Sequence, residues 1–238
     1  MTNITCLSEA EIRKIIKAVS TAVKDDVNEL YADKGYVTNN AMGNLKWDCI
    51  NTNLCDTLDK EKFEVKILDR RIWKLVLIYN KQNRELYSLM RKPNYYTVKD
   101  NRAKRKNPHY LDSLVVINPE ICEESEQMSL FKTQPELTQD KINDLLQEIL
   151  KLFSGTVSKY FLFLFVEENM EIVKFEAYQL DKMLNRYDMA DYSELIELDF
   201  DDRIELSAKG YGGGIDADEA SVALVKIKEK ERKEERNG

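Results

Sequence analysis

A short run of alternating acidic and basic residues is the clearest candidate for a catalytic site. Glu64 and Lys66 are separated by a single residue, and Asp59 precedes them. Carboxylate oxygens bind Mg²⁺, and a neighbouring lysine can stabilise the negative charge of a phosphate. As an alternative reading, Asp59, Glu64 and Lys66 therefore predict a Mg²⁺-dependent nuclease or toxin. The same alternation of Glu and Lys is also common on the wet face of an ordinary strand.

The Glu64-Val65-Lys66 motif resembles that of the PD-(D/E)xK nucleases, whose core also combines a leading helix with an antiparallel meander. This resemblance covers about the first third of the chain. The Pro–Asp pair of the family pattern is absent here, as is the strand expected to carry the aspartate. The resemblance implies Mg²⁺ for the alternative reading only. No other cofactor is expected, because the four cysteines are scattered without the spacing of a metal site.

His109, the single histidine, is the other candidate for acid–base chemistry. Asp112 follows it closely and could orient the ring. A Ser–His–Asp triad also needs a nucleophile on a tight elbow, and no such motif is present. A lone histidine is more often structural or part of a surface. His109 is therefore grouped with the binding residues of the segment that it ends.

Arg91–Tyr110 is the most distinctive surface segment, because cations and tyrosines interleave around a single acid, Asp100. Cations hold phosphates and exposed tyrosines stack on unpaired bases, so the composition suits single-stranded nucleic acid, with a protein partner as another reading. A third reading is a solvated loop between strands whose charges pair with acids elsewhere in the chain. The candidate binding residues are Arg91, Lys92, Tyr95, Tyr96, Lys99, Arg102, Lys104, Arg105, Lys106, His109 and Tyr110.

The residues before this segment predict the sheet that must position it. Phe63–Ile67 alternates apolar and polar residues, as in a half-buried strand. Ile72–Tyr79 is almost wholly apolar and predicts a central strand that is covered on both faces. Glu85–Met90 predicts a third strand, and the short connections make this meander antiparallel. A fourth strand is predicted beyond the basic segment, over Leu111–Asn118.

Amphipathic helices are predicted on the amino-terminal side of the sheet. Ser8 and Glu11 have the spacing of a capping box, and an apolar stripe follows them as far as Leu30. Gly35 occupies the position that is typical of a helix end. A short second helix is predicted around Trp47. Together these elements predict an α+β fold in which amphipathic helices pack on an antiparallel meander.

A second block predicts the same order of helix and then hairpin. Its helix begins at Thr138 and ends at Gly155, with an apolar stripe between them. Val157–Val166 and Met170–Glu176 predict a hairpin, and a short helix is expected from Tyr178 to Tyr187. The predicted organisation is an amino-terminal subregion (1–118), an acidic linker (119–137), a second helix-plus-hairpin subregion (138–227) and a charged tail (228–238).

The overall composition limits the binding partners and the location that can be expected. The net charge of −7 shows that the molecule as a whole does not attract nucleic acid or anionic membranes, so such binding needs a local patch. Tyr160–Val166, the longest apolar run, is far shorter than the roughly 20 residues of a membrane span. The amino terminus lacks the features of a secretory signal. A cytoplasmic protein is therefore expected, with no membrane partner.

Several stretches are similar to an uncharacterised family of small proteins from phages and mobile elements of low-GC bacteria. They lie within Gly43–Asn118 and read GNLKWDCIN, RRIWKLVLIYN, LYSLMRK and HYLDSLVVIN. This resemblance implies no activity, only a role in phage–host conflict such as that of a toxin with its antitoxin. The sequence as a whole predicts a non-enzymatic intracellular protein that binds a protein or nucleic acid through Arg91–Tyr110.

Overall fold

The computed structural model describes residues 3–35, 37–70, 73–118, 121 and 139–196. The predicted linker lies outside these residues apart from Ile121, and so does the chain from 197 onward, which includes the predicted charged tail. Both predicted subregions contribute to the described part, with three strands from each.

A six-stranded sheet lies at the centre of the described residues, and its strands are adjacent in chain order. The first three form the antiparallel meander, which confirms that prediction and the α+β class. The fourth strand then pairs parallel with the third. The strands are β1 (Phe63–Arg70), β2 (Trp73–Asn80), β3 (Glu85–Arg91), β4 (Lys159–Glu168), β5 (Glu171–Leu180) and β6 (Arg186–Asp191).

Strands β4 and β5 form the predicted hairpin. Its two turn residues, Asn169 and Met170, both have positive φ, at 50° and 66°. This pair of left-handed residues is typical of the tight turns whose twist matches that of the flanking strands. The helix predicted from Tyr178 to Tyr187 is wrong. The Asp181 carboxylate instead accepts the backbone N–H groups of Met183 and Asn185, at 2.8 and 2.7 Å, and the chain turns back into β6.

One face of the sheet is covered by amino-terminal helices, and the Ser8–Glu11 capping box that begins them is confirmed. The second of these α-helices ends at Gly35, whose φ of +58° suits a residue without a Cβ. Their apolar faces pack against the phenylalanines of β4 and β5. The elements are α1 (Glu9–Thr21), a π-helical turn (Ala22–Asp26), α2 (Val27–Lys34) and α3 (Met42–Thr57).

The opposite face is covered by the segment that connects β3 to β4. It contains α4 (Lys92–Asp100), a 3-10 turn (Arg102–Lys104), α5 (Tyr110–Leu114), a second 3-10 turn (Val115–Ile117) and, further along, α6 (Gln139–Leu150). The fourth strand predicted over Leu111–Asn118 is therefore wrong. A short apolar run that is buried on all sides has the same pattern in a strand and in a helix, and capping residues decide between them here.

Strand β4 shows why the sheet is stable between two helical layers. Phe161, Phe163 and Phe165 enter the core on the α1–α3 side. Leu162 and Leu164 enter the core on the α4–α6 side. Because successive side chains of a strand point to opposite faces, an unbroken apolar run needs cover on both. No helix among the described residues is long and apolar enough to cross a membrane.

Candidate binding surface

Helix α4 begins as soon as β3 ends, and Pro93 lies in its first turn, where a missing N–H costs nothing. One side of this helix belongs to the core. The Tyr95 hydroxyl donates to the Leu184 carbonyl at 2.7 Å, and its ring meets the Tyr178 ring edge-on at 5.8 Å. Burial raises the pKa of Tyr95. The Tyr96 ring lies 5.1 Å from the Tyr95 ring and is 47% exposed.

A buried carboxylate organises the next part of the basic segment. Arg102 Nε lies 2.9 Å from Asp112 Oδ1, and Arg105 Nη2 lies 2.8 Å from Oδ2. The backbone N–H of His109 also donates to Oδ2, at 2.7 Å. The Asp112 side chain is fully buried, so these donors replace the water that it loses. We call Asp112, Arg102 and Arg105 the Asp112 clamp.

His109 has a structural role at the start of α5. Its Nδ1 accepts the backbone N–H of Leu111 at 3.3 Å, which completes a capping box with Asp112. The His109 ring lies against the Tyr110 ring, with centroids 4.3 Å apart, and Tyr110 is buried. The structure therefore corrects the prediction for Tyr95 and Tyr110, because stacking on bases needs exposed rings and both residues belong to the core.

Arg91 and Lys92, the first two cations of the segment, tie neighbouring strands together. Lys92 Nζ donates to the carboxylate of Glu176, which is 2% exposed, and lies 5.7 Å from the centre of the Tyr178 ring. Burial lowers the pKa of Lys92, but the bonds to Glu176 and Tyr178 outweigh it and the net shift is upward. Arg91 Nη2 lies 3.3 Å from the Glu167 carboxylate of β4.

Three lysines of the segment remain for other contacts. Lys104 and Lys106 are exposed and Lys99 is half-buried. Among the described residues none of the three makes an ion pair, whereas the arginines beside them are paired. We call Lys99, Lys104 and Lys106 the lysine ridge. The Arg105 guanidinium donates to the Val98 carbonyl at 2.6 Å, so the part of the chain that carries Lys104 and Lys106 is tied back to α4, which carries Lys99.

The residues of the nuclease reading have local partners. Glu64 Oε2 accepts the Ser154 N–H and hydroxyl at 3.1 and 2.8 Å, and Lys66 Nζ lies 3.0 Å from Oε1. Burial raises the pKa of Glu64, but these bonds outweigh it and the net shift is downward. Asp59 is exposed and accepts the Glu61 N–H at 2.9 Å.

A metal site would need more ligands than this region brings together. Within the described residues no three His, Cys, Asp or Glu side chains are close enough to hold a metal ion. Glu64 instead connects β1 to Ser154, in the chain that follows α6. Catalysis by Asp59, Glu64 and Lys66 stays a prediction.

Two signals in the sequence indicate helices α4 and α5, neither of which is among the predicted elements. His109 and Asp112 have the spacing of a capping box, which favours a helix over the predicted strand. Pro93 follows β3 directly, which is typical of the first turn of a helix. Both signals can be read from the sequence alone. The partners of Lys92 and Tyr95 lie more than eighty residues away along the chain, and no local pattern indicates them.

The fold and this surface together define an α+β protein in which part of a basic segment faces solvent above a two-sided core. The chain belongs to a family of unknown function, DUF5986, whose sequence profile matches residues 5–238. No curated protein and no solved structure matches the chain.

Proposed function

We propose that this chain is a non-enzymatic binding protein that contacts the acidic surface of a partner protein through the lysine ridge and Tyr96. One observation carries the proposal. In a single segment, Arg102 and Arg105 are both paired with Asp112, while Lys99, Lys104 and Lys106 have no acidic partner among the described residues. Hydrated lysines held on a fixed turn suit electrostatic contact with a partner's carboxylates.

The same geometry favours protein over nucleic acid. Binding to single strands relies on several exposed aromatic rings that stack on successive bases. Of the three tyrosines in the segment, only Tyr96 offers an exposed ring. Three lysines also make a small patch on a chain whose net charge is −7, so a long polyanion meets repulsion elsewhere on the molecule.

A cytoplasmic location is part of this proposal, and the cysteines support it. Cys6, Cys49 and Cys55 are free thiols, as is usual in a reducing compartment. Burial raises the pKa of Cys49 and Cys55, so both thiols are poor nucleophiles near neutral pH. A role in phage–host conflict rests on the resemblance of Gly43–Asn118 alone and stays a prediction.

Site-specific photocrosslinking in the native host tests the proposed contact. A photoreactive amino acid replaces Tyr96 in one variant and Val37, which is 98% exposed, in another. Each is combined with K99A/K104A/K106A or with K14A/K34A/K60A, a control set of three other exposed lysines. Adducts are identified by mass spectrometry before and after nuclease treatment.

A discrete protein adduct is expected from position 96 and not from position 37. It should disappear in K99A/K104A/K106A and persist in the control set. The proposal fails if position 96 gives no adduct, if the adduct survives loss of the three lysines, or if it contains nucleic acid.

A further inference from the structure

A groove lies between the edge of the sheet and α6, next to the lysine ridge. Its volume is about 600 Å³, in the range of sites that hold small molecules or a few residues of a peptide. Leu68 of β1 and Leu145 of α6 contribute apolar surface, and Pro108 adds a third apolar side. Leu68 is buried and Leu145 is half-buried, so the floor is a part of the core that remains accessible.

The position of the groove follows from two adjacent residues of β1. Both Leu68 and Asp69 line it. Because successive side chains of a strand point to opposite faces, a groove that touches both must run along the edge of the strand. In the described sheet β1 is a terminal strand, paired only with β2. An extended segment in this groove would therefore lie beside backbone groups that can add a strand.

The charge along the groove changes sign. Lys141, Asp144 and Glu148 line it from one side at helical spacing, and all three are exposed. From Lys141 to Glu148 the helix rises roughly 10 Å, which an extended chain covers with about three residues. Lys141 Nζ lies 3.5 Å from the Lys106 carbonyl, so the basic end adjoins the lysine ridge. Asp144 and Glu148 make no ion pair with any described residue.

We propose that this groove binds an extended segment of the partner protein in which an acidic, an apolar and a basic residue occur in that order on the same side of the segment. The acidic residue lies at Lys141, the apolar residue on Leu68 and Leu145, and the basic residue at Asp144 and Glu148. This inference rests on the proposed function, because it names the part of the protein partner that binds beside the ridge.

The charge pattern decides against other occupants. A nucleic acid would bring phosphates against Asp144 and Glu148, and like charges at a contact are costly. A uniformly acidic peptide meets the same repulsion, and a uniformly basic one meets Lys141. A segment with opposite charges at its two ends is complementary to Lys141 at one end of the α6 wall and to Asp144 and Glu148 along the rest of it.

Peptide display on the intact chain tests the inference without knowledge of the partner. Random dodecapeptides are selected on wild type, on D144K/E148K, and on N143K/Q147K, which adds lysines to exposed positions of α6 outside the groove. Enriched peptides are then synthesised, and their affinities are measured by fluorescence anisotropy. The same peptides are measured on K99A/K104A/K106A.

Wild type and N143K/Q147K should enrich peptides with an acid, an apolar residue and a base in that order at alternate positions. D144K/E148K should bind these peptides at least about tenfold more weakly and should select acids in place of the base. The inference is overturned if no such pattern is enriched, or if D144K/E148K selects the same peptides as wild type. Peptide binding that is unchanged on D144K/E148K but lost on K99A/K104A/K106A also overturns it. Failure of the crosslink at position 96 with the expected selection would reject the ridge contact and not the groove.

Discussion

The Asp112 clamp and the lysine ridge lie within a few residues of each other, yet the arginines of the clamp are paired with an acid and the lysines of the ridge have no such partner among the described residues. Arg102 and Arg105 turn inward to a buried carboxylate. Lys104 and Lys106, their sequence neighbours, face solvent. A guanidinium is planar and weakly hydrated and presents several donors at once, whereas an ammonium keeps its water and stays mobile. The number of cations in a segment therefore does not give the charge that a partner meets.

The clamp also gives the ridge a fixed shape. Arg105 joins Asp112 on one side and the Val98 carbonyl on the other, so the turn between α4 and α5 is held at both ends. Removing one partner of a buried ion pair is costly because it leaves the other charge uncompensated. The His109 N–H supplies a third donor to the Asp112 carboxylate. The arginines thus support the turn, whereas the lysines form the proposed contact surface.

The largest effect is expected when the clamp loses its charge. D112N keeps the shape of the side chain but leaves two partly buried guanidinium groups without a counter-charge. We expect the free energy of unfolding to fall by about 3 kcal/mol, measured by urea denaturation followed by circular dichroism. D100N is the control, because Asp100 is exposed on α4. Equal stability of the two variants would contradict the role given to the clamp.

A smaller effect is expected from one member of the clamp. R105K retains a positive charge, but an ammonium cannot reach both Asp112 and the Val98 carbonyl in the geometry that the guanidinium uses. The free energy of unfolding should fall by about 2 kcal/mol in the same assay. If R105K matches wild type, point charge alone explains the pairing, and the geometry of the guanidinium does not matter at this position.

An effect of intermediate size is expected from Glu64, whose carboxylate is partly exposed. The pKa of Glu64 is lowered in the folded protein, so its contribution is present above the unfolded pKa of about 4.3 and is lost as the pH falls through the folded pKa. Because solvent screens this group, E64Q should cost less than about 1 kcal/mol at pH 7. Denaturation of wild type and E64Q between pH 7 and pH 3 should show their difference shrink with acidity.

The exposed residue Glu61 provides the control for that series. E61Q should match wild type at pH 7. A difference between wild type and E64Q that grows as the pH falls would show that the sign assigned to Glu64 is wrong.

The smallest effect on stability is expected at the ridge. K104A/K106A removes two solvated side chains that contact no acid among the described residues, so the free energy of unfolding should change by less than about 0.5 kcal/mol. Crosslinking from position 96 should nevertheless fall sharply in this variant. A loss of stability as large as that of R105K would show that these lysines are structural, and the ridge would then not differ from the clamp.

The sequence predicts some of these regions well for a physical reason. The β1–β3 meander has an alternating strand, an apolar strand and short turns, and all three signals are local. The Ser8–Glu11 capping box is local too. Lys104 and Lys106, which the sequence places in a surface segment, are exposed.

The inward half of the segment could not be predicted in the same way. Tyr95 is buried because it contacts Tyr178 of β5 and Leu184, which lies in the turn that follows β5. The parallel pairing of β3 with β4 likewise joins distant parts of the chain. The helix over Tyr110–Leu114 is an intermediate case, because the capping-box spacing of His109 and Asp112 is local but histidine is not one of the usual N-cap residues.

Residue-resolved chemical labelling tests the central division most directly. The folded chain is exposed to amine-selective and guanidine-selective reagents, and the rates at individual residues are read by mass spectrometry against the urea-unfolded chain. Lys104 and Lys106 should react at close to their unfolded rates. Arg102 and Arg105 should be protected at least about tenfold, and D112N should remove that protection. Labelling of Arg102 and Arg105 at unfolded rates in the folded wild type would contradict the account.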